Sequence, residues 1–231
     1  MIKVISKSSS DQIYANTSYI FYRSSVENGS LIFGGNFDRL VYVVDGAFTV
    51  QGHALEPGDT VQIKGRVTSV DGTGTLYVAQ AAIPHEDIQQ IVKITRAGAH
   101  YKVVKPWGHE LWLNGEGAPF CAKKIFIKAG NQTSLQYHNF KEETNLVEDG
   151  QVVLVTQADM SVAIDDVQSQ HLQETTFAGP VCFHVIPRTI HRLRAITDLN
   201  LFEVSTPHLD DVIRLQDDAN RSHGRIDSEH Q

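Results

Sequence analysis

The chain has 231 residues, 41% of them hydrophobic, and a formal net charge of -7. That length leaves room for two small domains, no apolar run approaches the roughly 18 residues that cross a bilayer, and no basic stripe offers a footprint for a nucleic-acid backbone. A soluble chain with neither a membrane nor a nucleic acid as partner is expected, and residues 1–12 lack the apolar stretch of a secretion signal, which makes the cytoplasm the expected compartment. Cys121 and Cys182 are then read as reduced packing residues.

Short strand signals dominate from the start. In the first half they are Leu31-Ile32-Phe33, Leu40-Val41-Tyr42-Val43-Val44, Ala47-Phe48-Thr49-Val50 and Thr75-Leu76-Tyr77-Val78, punctuated by Gly and Asp. Between the halves, Ile88, Ile91 and Val92 stand at helical spacing behind acidic residues, which predicts a short linker helix within 84–100. Strands resume with residues 122–128, 145–147, 152–155, 161–164, 183–186 and 201–204, and after Leu215 the chain turns polar, which predicts a tail over 216–231 with a mobile end. The expected organisation is thus an N-terminal domain over 1–83, the linker, a C-terminal domain over 101–215 and the tail. Many short strands with tight turns predict an all-β architecture of sandwich or barrel type.

A weak repeat suggests two copies of one fold. Val43-Val44-Asp45-Gly46-Ala47-Phe48-Thr49-Val50 aligns with Val147-Glu148-Asp149-Gly150-Gln151-Val152-Val153-Leu154, each a strand, an Asp-Gly turn and a strand. The same register sets Gly34 opposite His138 and Arg39 opposite Glu143, so the first copy is expected to bind no metal.

The chemistry concentrates between Gln136 and His191. Gln136 and His138 are two apart and point to the same face of a strand, Glu143 follows after a short turn, and His191 arrives from a distant segment, 185–191. An amide oxygen, two imidazoles and a carboxylate form a mixed N/O set suited to one divalent ion: Zn, Mn, Fe, Co or Ni. Among the other histidines, His53, His85, His100, His171, His223 and His230 have no such context, and His109 and His184 are intermediate. Trp107 and Trp112 read as packing.

Gly130, His138, Glu143 and Gly150 resemble the first motif of the cupins, with Phe140 where a second His is usual. Pro187-Arg188-Thr189-Ile190-His191 resembles the second motif, one residue short and without its Gly. Lys105-Pro106-Trp107-Gly108, Ala122-Lys123, residues 134–138, His191-Arg192-Leu193 and residues 209–215 together resemble the type II mannose-6-phosphate isomerase cupins in order and spacing. The resemblance implies a bicupin: two tandem double-stranded β-helix (jelly-roll) barrels joined by the helical linker, of which the second carries the metal on Gln136, His138, Glu143 and His191. It further implies an aldose-ketose isomerase that acts on a sugar or sugar phosphate through a cis-enediol.

Candidates for the proton-transferring base are Lys123, His109 and Glu142, and candidates for holding a phosphorylated substrate are Arg192, Arg188 and Lys105. Two other readings stand beside this one: a metal-dependent dioxygenase of the bicupin type, and a sugar or sugar-nucleotide binding module without turnover. Exposed strands in cupin-like sandwiches often pair, so a homodimer is expected.

Overall fold

The computed structural model describes residues 2–4, 11–65, 68–84, 89–115, 117–159 and 161–227. Its strands are β1 (Ile2–Val4), β2 (Asp11–Ala15), β3 (Tyr19–Phe33), β4 (Phe37–Val50), β5 (His53–Leu55), β6 (Thr60–Gly65), β7 (Thr68–Ala81), β8 (Ile91–Thr95), β9 (Tyr101–Lys105), β10 (Gly108–Trp112), β11 (Cys121–Ile127), β12 (Leu135–Tyr137), β13 (Glu143–Asp149), β14 (Gln151–Gln157), β15 (Leu172–Ala178), β16 (Val181–Val185), β17 (His191–Ala195), β18 (Leu199–Ser205) and β19 (Ile213–Gln216). Helix among the described residues is limited to three 3-10 turns, at Ala97–Ala99, Ile164–Asp166 and Ser169–His171. No described helix is long and apolar enough to cross a membrane. The chain divides into two compact units, one made of Ser6–Tyr101 and Trp112–Ala122, the other of Met1–Ile5, Lys102–Leu111 and Lys123–Gln231.

The N-terminal unit is one antiparallel sheet in the order β2-β3-β7-β4-β6-β8, with β5 on β4. Alternation sets its core: Val41 and Val43 of β4, Val61 and Ile63 of β6, and Leu76 and Val78 of β7 share one buried cluster with Phe33 and Phe48. Where β4 and β7 cross most closely, Gly46 faces Gly74, and a Cβ on Gly46 would lie 2.1 Å from the Thr73 carbonyl oxygen. Only glycine fits there, since its φ is also +87°. Arg39, one register step before Val41 on the inward face, is buried, with its guanidinium on the Gln80 side chain and the Gly34 and Gly35 carbonyls and against the Phe33 and Phe37 rings.

The linker helix expected within 84–100 is corrected over 91–95. That stretch is β8, paired to β6 from Thr60↔Thr95 to Lys64↔Ile91. Two-residue alternation wins over the helical reading because Val92 and Ile94 pack onto the core while Ile91 stays exposed. Residues 85–88, where the helix would begin, lie outside the described residues.

The C-terminal unit packs two sheets face to face, β1-β16-β13-β18-β11-β10-β9 and β15-β14-β17-β12-β19. Their shared core holds Ile125, Ile127, Val147, Phe183, Leu199 and Leu201 from the first sheet and Val152, Leu154, Leu193 and Ala195 from the second. Trp107 belongs to this core, and both cysteines are buried and form no disulfide. The strand expected at 161–164 is instead a turn, because the Asp159 carboxylate accepts from the Ser161 N–H at 2.9 Å and hydroxyl at 2.6 Å and bends the chain.

The expected polar tail is tied down through its described part. Asp217 accepts hydrogen bonds from the Ser134 hydroxyl at 2.6 Å and from Arg221 Nη2 at 2.7 Å. Burial pushes the Asp217 carboxyl up, but the bonds from Arg221 and Ser134 outweigh it and hold the group well below the usual carboxylate range. Asp217→Asn is therefore expected to destabilise the protein by about 1–3 kcal/mol near neutral pH. Because the folded-state value is depressed, this stabilisation is complete above the ordinary carboxylate value of about 4 and is lost as pH falls through the folded value. Urea melts of both proteins at pH 7 and pH 3 check it: the gap should narrow at the lower pH.

Candidate metal centre

Alternation gives the interior of the C-terminal sandwich an apolar end and a polar end. On β13 the inward positions run Val147, Asn145, Glu143; on β18 they run Leu199, Leu201, Glu203; on β17, Ala195, Leu193, His191; and on β11, Ile127, Ile125, Lys123. The β13–β18 register sets Asn145 beside Glu203 and Glu143 beside Ser205, and β12–β17 sets Gln136 opposite His191. Directly opposed residues share a face, so the Gln136 amide lies on the side of the sheet that carries His191.

His138, Glu143 and His191 converge, with one donor atom from each within 4.8 Å of the others, and all three are buried. His138 Nε2 lies 3.4 Å from Glu143 Oε2, and His191 Nε2 lies 3.1 Å from Glu143 Oε1. Ligands bound at 2.0–2.2 Å to one ion stand roughly 2.8 to 3.6 Å apart, a range that includes these separations.

The tautomers point the same way. His138 Nδ1 donates to the Asp211 carbonyl oxygen and His191 Nδ1 donates to the Thr189 carbonyl oxygen, so in the neutral imidazoles the lone pairs are on the Nε2 atoms. Both Nε2 atoms are buried without a hydrogen-bond partner. Two lone pairs aimed at a carboxylate repel it unless a proton or a cation stands between them. The residues therefore fit a divalent ion.

Glu143 is not alone in the interior. Lys141 Nζ donates to Glu143 Oε2 at 2.6 Å and to Glu203 Oε1 at 2.9 Å, and Asn145 Nδ2 donates to Glu143 Oε1 at 3.0 Å. Burial pushes the Glu143 carboxyl up, but it is held well below the usual carboxylate range, the Lys141 charge being the largest of the opposing influences. Burial likewise pulls Lys141 down, and the two carboxylates outweigh that and raise it well above an ordinary lysine. Lys141, Asn145 and Glu203 are not among the residues expected from sequence. Lys141 stands two residues from Glu143 and Glu203 continues the inward row of β18, but their pairing across 62 residues is visible only in the fold.

Asp211 holds the turn between His138 and Glu143. Its carboxylate accepts the backbone N–H groups of Asn139 at 3.0 Å, Phe140 at 2.5 Å and Lys141 at 2.9 Å, while its carbonyl takes the His138 proton. Phe140, in place of the second motif histidine, is 69% exposed and ligates nothing. Arg188 takes a left-handed φ of +61°, and its N–H donates to the His138 carbonyl at 2.6 Å. With the shortened motif, His191 still faces inward.

The remaining expected site residues divide by face. Lys123 lies on the inward face and donates to Glu110 Oε2 at 3.0 Å, with Lys105 Nζ 3.6 Å from Oε1 of the same carboxylate. His109 lies on the opposite face of β10 from Glu110 and stacks on Phe126, which points away from Ile125 and Ile127; burial and the Lys102 charge push its imidazole down. Glu142 faces outward, 4.0 Å from His184, which Thr144 hydrogen-bonds on the outer face and burial pushes down to about 4. Arg192 alternates with His191 and spends its guanidinium on the Thr133 and Gln216 carbonyls, while Arg188 stacks over Tyr137, on the far side of β12 from Gln136. His109, Glu142, Arg188 and Arg192 therefore do not join the cluster: a one-residue step on a strand reverses the face.

The model of the mannose-6-phosphate isomerase C-terminal family matches residues 93–217, more than half of the chain. The chain belongs to that family. Among solved structures, an oxalate decarboxylase from Lactobacillus farciminis in complex with formate is similar with a TM-score of 0.62 and 9% identity, over 87% of this chain and 80% of that one. A Bacillus subtilis oxalate decarboxylase with Mn(II) centres gives 0.61 and 8% identity, over 86% of this chain and 71% of that one. At such identity the likeness concerns the fold, which is of the cupin type. No curated protein matches the chain. In this member of the mannose-6-phosphate isomerase C-terminal family, Asp211→Asn keeps the side chain's size but replaces an acceptor facing backbone N–H groups with an amide. It is expected to lower divalent-ion affinity about 10- to 100-fold with an unchanged far-UV circular dichroism spectrum, as read by isothermal titration with Mn2+ and Zn2+.

Proposed function

We propose that the protein is a metal-dependent sugar or sugar-phosphate isomerase whose single divalent ion is held by Gln136, His138, Glu143 and His191. The observation that carries the metal is the pair of unpartnered Nε2 atoms closing on Glu143 at 3.1 and 3.4 Å. The family relationship over residues 93–217 supports the choice of an aldose-ketose conversion. When bound, the ion supplies Lewis-acid stabilisation to the oxygens of an open-chain sugar as a cis-enediol forms.

In this reading the chain's own residues divide the remaining work. Lys123, acting as the neutral amine, is the candidate that takes the proton from one carbon and returns it to the next, because of the three bases considered it alone faces the interior, oriented by Glu110. Lys105 shares that carboxylate and is the remaining inward cation for a phosphorylated substrate. Asp211 and Thr189 fix the imidazoles through their carbonyls, and Asn145 orients Glu143. We also read the two units as tandem copies of one cupin fold, supported by the alignment of Arg39 with Glu143 at the same inward position of β4 and β13.

A second reading, a sugar-binding cupin without turnover, is favoured by Phe140 in place of a histidine, which leaves the ion one imidazole fewer. Elemental analysis is expected to find about one divalent ion per chain, and His138→Ala and His191→Ala to lower that occupancy at least tenfold. Aldose and ketose phosphates followed by 13C NMR should interconvert with the native protein and not with either variant. Full occupancy in His138→Ala would remove the centre, and a metal-loaded protein inert to the whole panel would favour the binding module.

A further inference from the structure

The charges around the centre do not balance for a divalent ion alone. Within the hydrogen-bonded cluster, Glu143 and Glu203 each bring a carboxylate and Lys141 one ammonium, and His138 and His191 count as neutral once their Nε2 atoms ligate an ion. Asn145 and Gln136 add none. The sum is one negative charge, and a divalent ion turns it into one positive charge. His138, Lys141, Glu143, His191 and Glu203 are all buried, so that surplus has no water around it. A buried net charge is costly, and the cost disappears when the ion's next ligand brings a negative charge of its own.

We propose that Lys141 makes the loaded centre electropositive and thereby selects an anionic oxygen ligand, a carboxylate or an enediolate, over a neutral hydroxyl or amide. The proposal rests on the metal reading above. Lys141 is suited to the role because its ammonium, which has no lone pair to offer a cation, donates to both carboxylates, and neither Nε2 has it as a hydrogen-bond partner. Its ammonium instead reduces the negative charge on Glu143 through Oε2, the oxygen that also faces His138 Nε2. The consequence is a trade: the lysine weakens the hold on the cation and strengthens the hold on an anion bound to it. For a sugar substrate this favours the enediolate over the neutral open-chain form, which lies in the direction an isomerase requires.

Removing the charge should therefore move two affinities in opposite directions. Lys141→Met is expected to bind Mn2+ at least about tenfold more tightly, as read from the free Mn2+ signal in electron paramagnetic resonance titrations, since one unit charge within a few ångströms is removed. With Mn2+ bound, the native protein is expected to bind glycolate at least about tenfold more tightly than its neutral isostere glycolamide, followed by the change in the bound Mn2+ spectrum, and Lys141→Met to lose that preference. Lys141→Arg, which keeps the charge, should keep both behaviours. A native protein that takes up no Mn2+ would overturn the metal reading and this proposal with it. Uptake of Mn2+ with no tightening in Lys141→Met, no preference for glycolate in the native protein, or loss of the preference in Lys141→Arg as well would overturn the role of Lys141 and leave the metal centre standing.

Discussion

Two carboxylates can be buried side by side only if positive charge is placed between them, and in this protein Lys141 is that charge. Its Nζ bridges Glu143 and Glu203 at 2.6 and 2.9 Å in an interior from which water is excluded. The bridge fixes where the Glu143 carboxylate points, and that in turn fixes the position at which the His138 and His191 lone pairs meet it. It also sets the charge that any bound cation encounters. A neutral side chain at Lys141 would leave Glu203 unpaired in the cluster, the kind of change that costs several kcal/mol in a buried network.

Supporting interactions hold the frame around this bridge. Asp211 spends its carboxylate on the three consecutive N–H groups of the turn that carries Lys141, and its carbonyl on the proton of His138. One residue thus couples the loop, the imidazole tautomer and the C-terminal segment that ends in the Asp217 clamp. Arg188, in a strained left-handed conformation, lies in the shortened segment that leads to His191. Strain of this kind persists where surrounding contacts over-determine it, and the Arg188 N–H bond to the His138 carbonyl is such a contact.

The two units show how one β-framework accepts opposite chemistry at the same position. In the C-terminal unit the inward residue of β13 is Glu143, solvated by Lys141, Asn145 and two imidazoles; in the N-terminal unit the inward residue of β4 is Arg39, solvated by a glutamine amide, two carbonyls and two aromatic faces. Each is buried and each is matched by partners suited to its sign. The fold supplies an inward-facing position at the polar end of a strand, and the side chains around it determine what that position does.

Alternation alone made the β character, the inward rows and the candidate set Gln136, His138, Glu143 and His191 legible in the sequence, because side chains two apart on a strand must share a face. The same rule, applied with a register, separates Lys123 from His109 and Glu142, but the faces on which these lie become known only when β10, β11, β13 and β16 are paired. The segment at 91–95 could be written with either period, and only its pairing to β6 made it a strand. Lys141 is the clearest case of what sequence does not contain. Its neighbour in the chain is Glu143, yet its second partner, Glu203, is 62 residues away, brought close by the antiparallel register of β13 and β18. A long-range electrostatic network has no local signature, so its members are recognised only after the strands are in place.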